Sequence, residues 1–254
     1  MKKAYRVLLP LLFWTGVWQL AAAAVGKELL LPAPLAVGRR LLELCGTGAF
    51  WLTAGASLGR ILLGLLAGVV LGTLLAGLTS ALPWADCLLS PAVKVIRATP
   101  VASFIILVLL WVETGRVPGV ISALMVLPVV WGNVSRGWAE TDPQLLELAR
   151  AYRFGRWRTL RRVYVPSVLP YFASGCRTAL GLAWKAGVAA EVLCLPKNAI
   201  GAQVYYAKIY LETPSLFAWT LAVIALSFLL EWAVGLLLRR LEVWKIFCDY
   251  AFGR

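Results

Sequence analysis

Six long apolar intervals constrain the fold of this chain more than any other feature. They cover residues 7–26, 61–78, 87–112, 117–134, 168–195 and 216–238. An α-helix needs ~20 residues to cross the hydrocarbon layer of a bilayer, and it satisfies its own backbone hydrogen bonds there. A membrane barrel would need short strands of alternating polarity, and the sequence has none. We therefore predict an all-α integral membrane protein with about six transmembrane helices, forming a single domain over residues 1–254.

The charge distribution supports this class and predicts an orientation. The chain carries a formal net charge of +13, which in a soluble protein would suggest nucleic-acid binding. In a membrane protein, Lys and Arg collect in cytoplasmic segments. With six crossings, 16 of the 25 Lys and Arg residues fall on one side, seven on the other and two within the fifth interval. We therefore predict that both termini are cytoplasmic and that the chain does not bind nucleic acid.

Two intervals need comment. The first, residues 7–26, follows a basic head and might be taken for a signal peptide, but its apolar run exceeds the ~7–15 residues of a signal core. We interpret it as a retained span. The third, residues 87–112, contains Pro91 and Pro100, so we expect a bent helix there. The five scattered cysteines and the absence of histidine give no pattern for a metal site.

Small residues recur at every fourth position on the second and fifth predicted spans. Such ladders allow two helices to approach closely in lipid, although glycine is also common in membrane helices generally. We predict close helix packing along both ladders, and for the fifth span a contact across a dimer axis is one form that it can take. The predicted packing residues are Gly64, Gly68, Gly72, Gly175, Ala179, Ala183 and Gly187.

The fifth span also carries charges at membrane depth. Arg177, Lys185 and Glu191 lie within it, and Glu231 on the sixth span is a candidate partner. A charge at the bilayer centre costs ~2.5–3.5 kcal/mol on insertion scales unless it is paired or hydrated. These residues therefore form structural ion pairs, lie at the membrane interfaces because the span is tilted, or line a wet path. In a wet path, Lys185 would favour an anionic solute.

The most polar interval, residues 138–166, separates the fourth and fifth spans. Asp142 can cap a helix that has Pro143 at its first position. An apolar face follows at helical spacing, a break at residues 153–155 ends that helix, and a second short helix leads to the next span. We predict a helix–turn–helix on the cytoplasmic surface that fits a groove on another protein or rests on anionic lipid. The candidate contact residues from this spacing are Leu145, Leu148, Ala149, Tyr152 and Trp157.

This interval resembles the EAA loop of ABC importer permeases, with the pattern E-A-A-x3-G-x9-I-x-L-P. The matching positions with their spacing preserved are Glu147, Ala149, Val163, Val165 and Pro166. Leu148 replaces the second motif residue, and Arg153 replaces the motif glycine. Further segments resemble the branch for nitrate, sulfonate and taurine, namely residues 31–34, 57–60, 97–100 and 183–191.

The resemblance implies a permease subunit in the plasma (inner) membrane of a prokaryote, with residues 138–166 as a coupling loop. It adds Glu147, Arg153, Gly155 and Pro166 to the candidate residues for coupling to the ATPase. It implies cytoplasmic ATPase subunits that hold ATP and Mg, an extracytoplasmic substrate-binding protein and a permease homodimer. The chain has no G-x-x-x-x-G-K-[ST] loop, so we expect no ATP hydrolysis and no cofactor in it. The expected solute is small and anionic. The alternatives are a secondary transporter driven by an ion gradient and a membrane assembly subunit without a transport role.

Overall fold

The computed structural model describes the backbone of residues 2–251 and the side chains of residues 8–237. The basic residues of both termini that support the predicted orientation, among them Arg6 and Arg239, therefore lie outside the described side chains. Every regular element in the described part of the chain is a helix. These elements are α1 (Lys2–Val25), α2 (Pro34–Cys45), α3 (Gly48–Ala81), α4 (Pro83–Ala98), α5 (Val101–Leu109), α6 (Val117–Ala139), α7 (Pro143–Ala151), α8 (Arg156–Thr159), a π-helical turn (Leu160–Tyr164), α9 (Val165–Cys194), α10 (Ile200–Ile209) and α11 (Thr213–Ala251).

Four of these helices are long and apolar enough to cross a membrane along their described residues. They contain Leu8–Val25, Gly48–Ala81, Val117–Ala139 and Thr213–Leu237. α9 has 30 residues and is thus long enough to cross, but Arg177, Lys185 and Glu191 interrupt its apolar pattern. α3 begins 13 residues before the predicted second span, because a charge at Arg60 ends an apolar run without ending a helix.

The predicted third span is broken in the structure. α4 and α5 meet at an angle of 104°, which makes them either one broken span or a re-entrant loop. The break falls at Thr99, whose backbone is extended (φ −77°, ψ 132°), because a proline disfavours helical geometry in the residue before it. Pro91, where a bend was also expected, lies within α4. The bend is therefore localised at Thr99–Pro100.

The chain divides into two compact units whose boundaries fall within α3, α9 and α11. The first unit comprises residues 1–58 and 191–226. In this unit Trp18 donates from Nε1 to the carbonyl oxygen of Pro32 (3.1 Å) and stacks on Phe217. Phe50 and Trp219 stack with ring centroids 5.0 Å apart. These aromatic contacts hold α1 and α3 against the start of α11.

The second unit comprises residues 59–190 and 227–254, and close packing of α3 on α6 organises it. A Cβ built on Gly64 would overlap the carbonyl group of Gly119, lying 2.8 Å from its carbonyl carbon. A Cβ on Gly68 would lie 2.7 Å from the carbonyl oxygen of Ala123, and one on Gly72 would lie 2.8 Å from that of Leu127. The α3 ladder therefore packs backbone against backbone on α6, a contact that only glycine permits at this distance.

Candidate functional site

The loop between α6 and α9 begins with a capped helix. Asp142 accepts a hydrogen bond at 2.8 Å from the backbone N–H of Gln144, and Pro143 occupies the first helical position. The structure thus confirms the predicted cap. A carboxylate at this position satisfies a backbone donor that has no partner inside the helix and interacts favourably with the helix dipole. α7 therefore starts at a defined residue, which fixes the register of the exposed residues that follow.

The turn after α7 explains the glycine of the sequence pattern. Arg153 has a left-handed backbone (φ 51°). Its N–H donates to the carbonyl oxygen of Arg150 (2.9 Å), and the N–H of Phe154 donates to that of Ala149 (2.8 Å). These two bonds form a Schellman motif, which needs a left-handed residue and usually contains glycine there. In this chain, arginine therefore adopts the left-handed conformation at the position where the motif has glycine.

The predicted contact residues of the loop divide by exposure. Ala149 is buried (3% exposed) and Pro166 lies in the first turn of α9, so both belong to the packed side of the loop. Glu147, Arg153 and Gly155 are exposed. The large apolar side chains of the set are also exposed, at 43% to 74% of their surface: Leu145, Leu148, Tyr152 and Trp157. Four large exposed apolar groups on one loop indicate a surface that a partner protein or a membrane covers.

The base of the loop is closed by contacts that the sequence pattern did not indicate. Trp138 at the end of α6 stacks on Tyr164 with ring centroids 4.4 Å apart. The hydroxyl of Tyr171 on α9 donates to the carboxylate of Glu140. A Cβ on Gly137 would lie 2.9 Å from the ring of Tyr171, so this ring packs directly on α6. The aromatic residues on either side of the loop were the available sequence signal, because paired aromatic rings often close the ends of a loop. A force applied to the loop would therefore reach α6 and α9 together.

One face of α9 packs within its own unit. A Cβ on Gly187 would lie 2.6 Å from Cγ1 of Ile61 and 2.7 Å from Oγ of Ser122, and one on Gly175 would lie 3.0 Å from Cβ of Asn133. Ser122 also donates to the carbonyl oxygen of Ala183 (3.1 Å). Ala179 and Ala183 are fully buried. The small-residue face of α9 is thus occupied by α3 and α6 of the same chain.

The opposite face of α9 carries exposed charge. Arg177 and Lys185 are exposed and stand eight residues apart on one side of the helix. Gly181 lies midway between them, and Oε1 of Glu231 comes within 3.9 Å of the position that its Cβ would take. The structure therefore brings Glu231 of α11 to the face of α9 that carries both cations. This face of α9 therefore carries two positive groups and one negative group.

Glu191 has a different environment from the other charges of α9. It is fully buried (0% exposed), and its Oε2 accepts hydrogen bonds from Oγ of Ser57 (2.9 Å) and from the N–H of Gly201 (3.1 Å). Oγ of Ser57 in turn accepts from the N–H of Ile200 (2.9 Å). The residue before α10, Ala199, has no side chain that can cap. Ser57 and Glu191 therefore cap α10 from other helices, and Ser57 is a residue for which the sequence indicated no such role.

Replacing Ser57 with alanine should loosen α10. The change leaves the N–H of Ile200 without its acceptor and removes one donor from the buried Glu191 carboxylate, at a cost of about 2 kcal/mol. Hydrogen–deuterium exchange of the purified full-length protein should show faster exchange at residues 200–209. Thr53→Ala, which removes a buried hydroxyl one turn earlier on α3, should leave exchange in α10 unchanged. Equal exchange of α10 in the wild type and in Ser57→Ala would contradict the capping role.

Comparison with known families covers most of the chain. Residues 68–243 match the family described as "Binding-protein-dependent transport system inner membrane component". This range contains α6, the whole loop at 138–166 and α9. The match therefore includes both the loop that presents apolar residues and the helix that presents charge.

Individual relatives agree with this match. The chain is 32% identical over 229 residues to a riboflavin transport system permease protein of Chloroflexus aurantiacus, covering 89% of this chain and 84% of that protein. It is 27% identical over 234 residues to a taurine transport system permease protein of Escherichia coli, with the same two coverages. A crystal structure of an amino acid ABC transporter with histidines superposes with a TM-score of 0.59 at 18% identity, over 75% of this chain and 92% of that chain. This last likeness concerns the fold.

Proposed function

Because the chain belongs to the family of binding-protein-dependent transport system inner membrane components, which are permease subunits of ABC importers, we propose that residues 138–166 form its coupling loop to a cytoplasmic ATPase. The observation that carries the proposal is the exposed apolar set on that loop, presented by a capped helix and a rigid turn. A short helix with exposed apolar groups fits a groove on a partner protein. The closed base of the loop then passes movement of the ATPase to α6 and α9. Alternating access follows from rigid-body motion of these helices.

The assembly that this role requires contains two permease chains and two ATPase subunits. ATP and Mg belong to the ATPase, where hydrolysis takes place. An extracytoplasmic binding protein delivers the solute. The family assignment favours this arrangement over an ion-driven transporter or an assembly subunit, and gives the chain a multi-pass location in the inner membrane, in which we place both termini in the cytoplasm.

The exposed charged face of α9 is the proposed solute path. Charged side chains at membrane depth avoid lipid and face other protein or water. Since the small-residue face of α9 is already packed, the charged face remains for a second copy or for the solute. Arg177 and Lys185 outnumber Glu231 there, so the path favours a small anionic solute. A sulfonate such as the acidic group of taurine has this chemistry, whereas riboflavin lacks a charged acidic group, and the anion assignment therefore rests on the two cations.

Neutralising Lys185 should reduce transport of an anionic solute. In Lys185→Ala the path loses one of its two exposed cations, and we expect at least a tenfold fall in uptake into proteoliposomes, equivalent to ~1.4 kcal/mol. Lys185→Arg keeps the charge and should retain most of the uptake. Stability of both variants should match the wild type because the side chain is exposed. Unchanged uptake and stability in Lys185→Ala would place the solute path elsewhere.

The function is tested by reconstituting the chain with its ATPase. The full-length permease should co-purify with a soluble ATPase. Solute uptake into proteoliposomes should require ATP on the side of the membrane where the ATPase is bound. Replacing Trp157 with serine removes the most exposed apolar group of the loop and should abolish co-purification without unfolding the chain. Replacing Trp111 with serine is a matched control, because that side chain is also exposed but lies outside the loop. Uptake driven by an ion gradient without ATP would overturn the proposal.

A further inference from the structure

Arginine alone supplies the positive charge in and just before the coupling loop. Between residues 136 and 162 there are seven arginines and no lysine. All seven are exposed. Lysine would satisfy the orientation rule equally well, whereas the planar guanidinium group binds phosphate oxygens with two parallel hydrogen bonds. Arginine alone at these positions therefore indicates a phosphate partner in addition to membrane orientation. The residues are Arg136, Arg150, Arg153, Arg156, Arg158, Arg161 and Arg162.

Two of these arginines converge on one aromatic ring. The guanidinium carbons of Arg158 and Arg162 lie 5.6 Å and 5.9 Å from the ring centroid of Phe154. The two guanidinium carbons therefore lie at most about 11.5 Å apart. Like charges four residues apart on a helix repel each other, and the π-face of Phe154 offsets only part of that repulsion. An anion bound by both guanidinium groups would offset the remaining repulsion.

The loop supplies few anions of its own. Only three acids accompany the seven arginines in this interval, Glu140, Asp142 and Glu147. Glu140 accepts from Tyr171 and Asp142 caps α7. Within the described side chains, 8–237, no ion pair joins Arg158 or Arg162 to a carboxylate. The pair is therefore available to an anion from outside the chain.

The position of the pair along the chain selects the source of that anion. Arg162 lies in the π-helical turn, which runs directly into α9 at Val165. A helix rises ~1.5 Å per residue, so Arg158 and Arg162 stand within roughly 10 Å of the start of α9, which we interpret as the fifth span. In the proposed orientation the start of α9 lies at the headgroups of the cytoplasmic leaflet, where anionic lipids attract basic side chains next to a span. Arg150 and Arg153 are further along the chain from either neighbouring span.

We propose that Arg158 and Arg162, braced by Phe154, bind the phosphate of an anionic phospholipid in the cytoplasmic leaflet. The inference rests on the proposed orientation of the coupling loop. The phosphate neutralises the two repelling guanidinium groups and holds the π-helical turn at the membrane surface. The loop then presents its apolar side to the ATPase and its arginine pair to lipid.

The test uses the purified full-length chain in mixed micelles of phosphatidylglycerol and phosphatidylcholine, with retained lipid measured by native mass spectrometry. The wild type should retain phosphatidylglycerol in roughly tenfold preference. Arg158→Gln with Arg162→Gln should lose that preference. Arg150→Gln with Arg153→Gln removes the same charge from the same loop and should keep it. Phe154→Leu keeps both charges but removes the brace, and should give an intermediate preference.

Three results would overturn the proposal. The first is equal retention of the two lipids by the wild type, and the second is an equal loss in both double variants, which would indicate diffuse attraction. The third is complete displacement of phosphatidylglycerol by excess sodium phosphate, which would make free phosphate the ligand. No ATPase or solute is present in these measurements. A failure of lipid binding is therefore distinguishable from a failure of ATP-dependent uptake, which would overturn the proposed function.

Discussion

Replacing Gly64 with alanine should destabilise the folded protein by about 3 kcal/mol, the upper part of the range for overpacking a buried contact. The added Cβ would overlap the backbone carbonyl of Gly119, and it would lie 2.9 Å from the Cα of that residue. Backbone atoms have no rotamer by which to move away, so α3 and α6 would have to separate along their contact. Titration of the purified protein with SDS in mixed micelles should show unfolding at a lower detergent fraction than for the wild type.

Gly77→Ala is the matched control for Gly64→Ala. Gly77 lies on the same helix, and a Cβ there would meet nothing within 4 Å. Alanine is favoured over glycine in a helix by about 1 kcal/mol, so this variant should be neutral or slightly more stable. The same substitution on the same helix should therefore have effects of opposite sign. Similar behaviour of both variants would show that the contact with α6 does not limit stability.

Replacing Arg153 with valine should uncouple ATP hydrolysis from transport. A left-handed backbone costs an L-residue roughly 1–2 kcal/mol, and a β-branched residue tolerates it least. Valine should therefore open the Schellman turn between α7 and α8 and change the direction in which Tyr152 and Trp157 point. About 1.4 kcal/mol corresponds to a tenfold change in the population of the intact turn. We expect solute uptake per ATP hydrolysed to fall by about that factor.

Arg153→Gly separates the backbone from the charge. Glycine adopts the left-handed region without strain, so this variant should keep coupled uptake and should stabilise the turn slightly.

Glu147→Gln, in contrast, keeps the backbone and removes an exposed charge of the loop, and we expect it to reduce coupling at constant stability. Both are measured as uptake and ATP hydrolysis in the same proteoliposomes. Normal coupling in Arg153→Val would show that the turn does not transmit movement of the ATPase to the permease helices.

The coupling loop illustrates how far residue spacing leads. The apolar positions, the Asp142 cap and the register break at Arg153 were all predicted from local pattern, because each depends on residues within one or two helical turns. The spacing did not predict the π-helical turn at Leu160–Tyr164 or the stacking of Trp138 on Tyr164. Both depend on how α6 and α9 meet, which is a contact across more than twenty residues of sequence. The spacing likewise did not distinguish the exposed Tyr152 from the buried Ala149.

The sequence by itself determined that this chain is helical and spans a membrane, because bilayer thickness and the hydrogen-bonding needs of a backbone in lipid act on any apolar run of sufficient length. It also determined the step-of-four spacing of the small residues, but their neighbours were decided only in three dimensions. The charges of α9 show the difference most clearly. Lys185 and Glu191 look alike in sequence, as single charges in an apolar helix. One lies exposed, whereas the other is buried against Ser57 and the first turn of α10. The free energy of a charge in a membrane protein depends on the donors that surround it, and for Glu191 the tertiary structure brings one of those donors from 134 positions away.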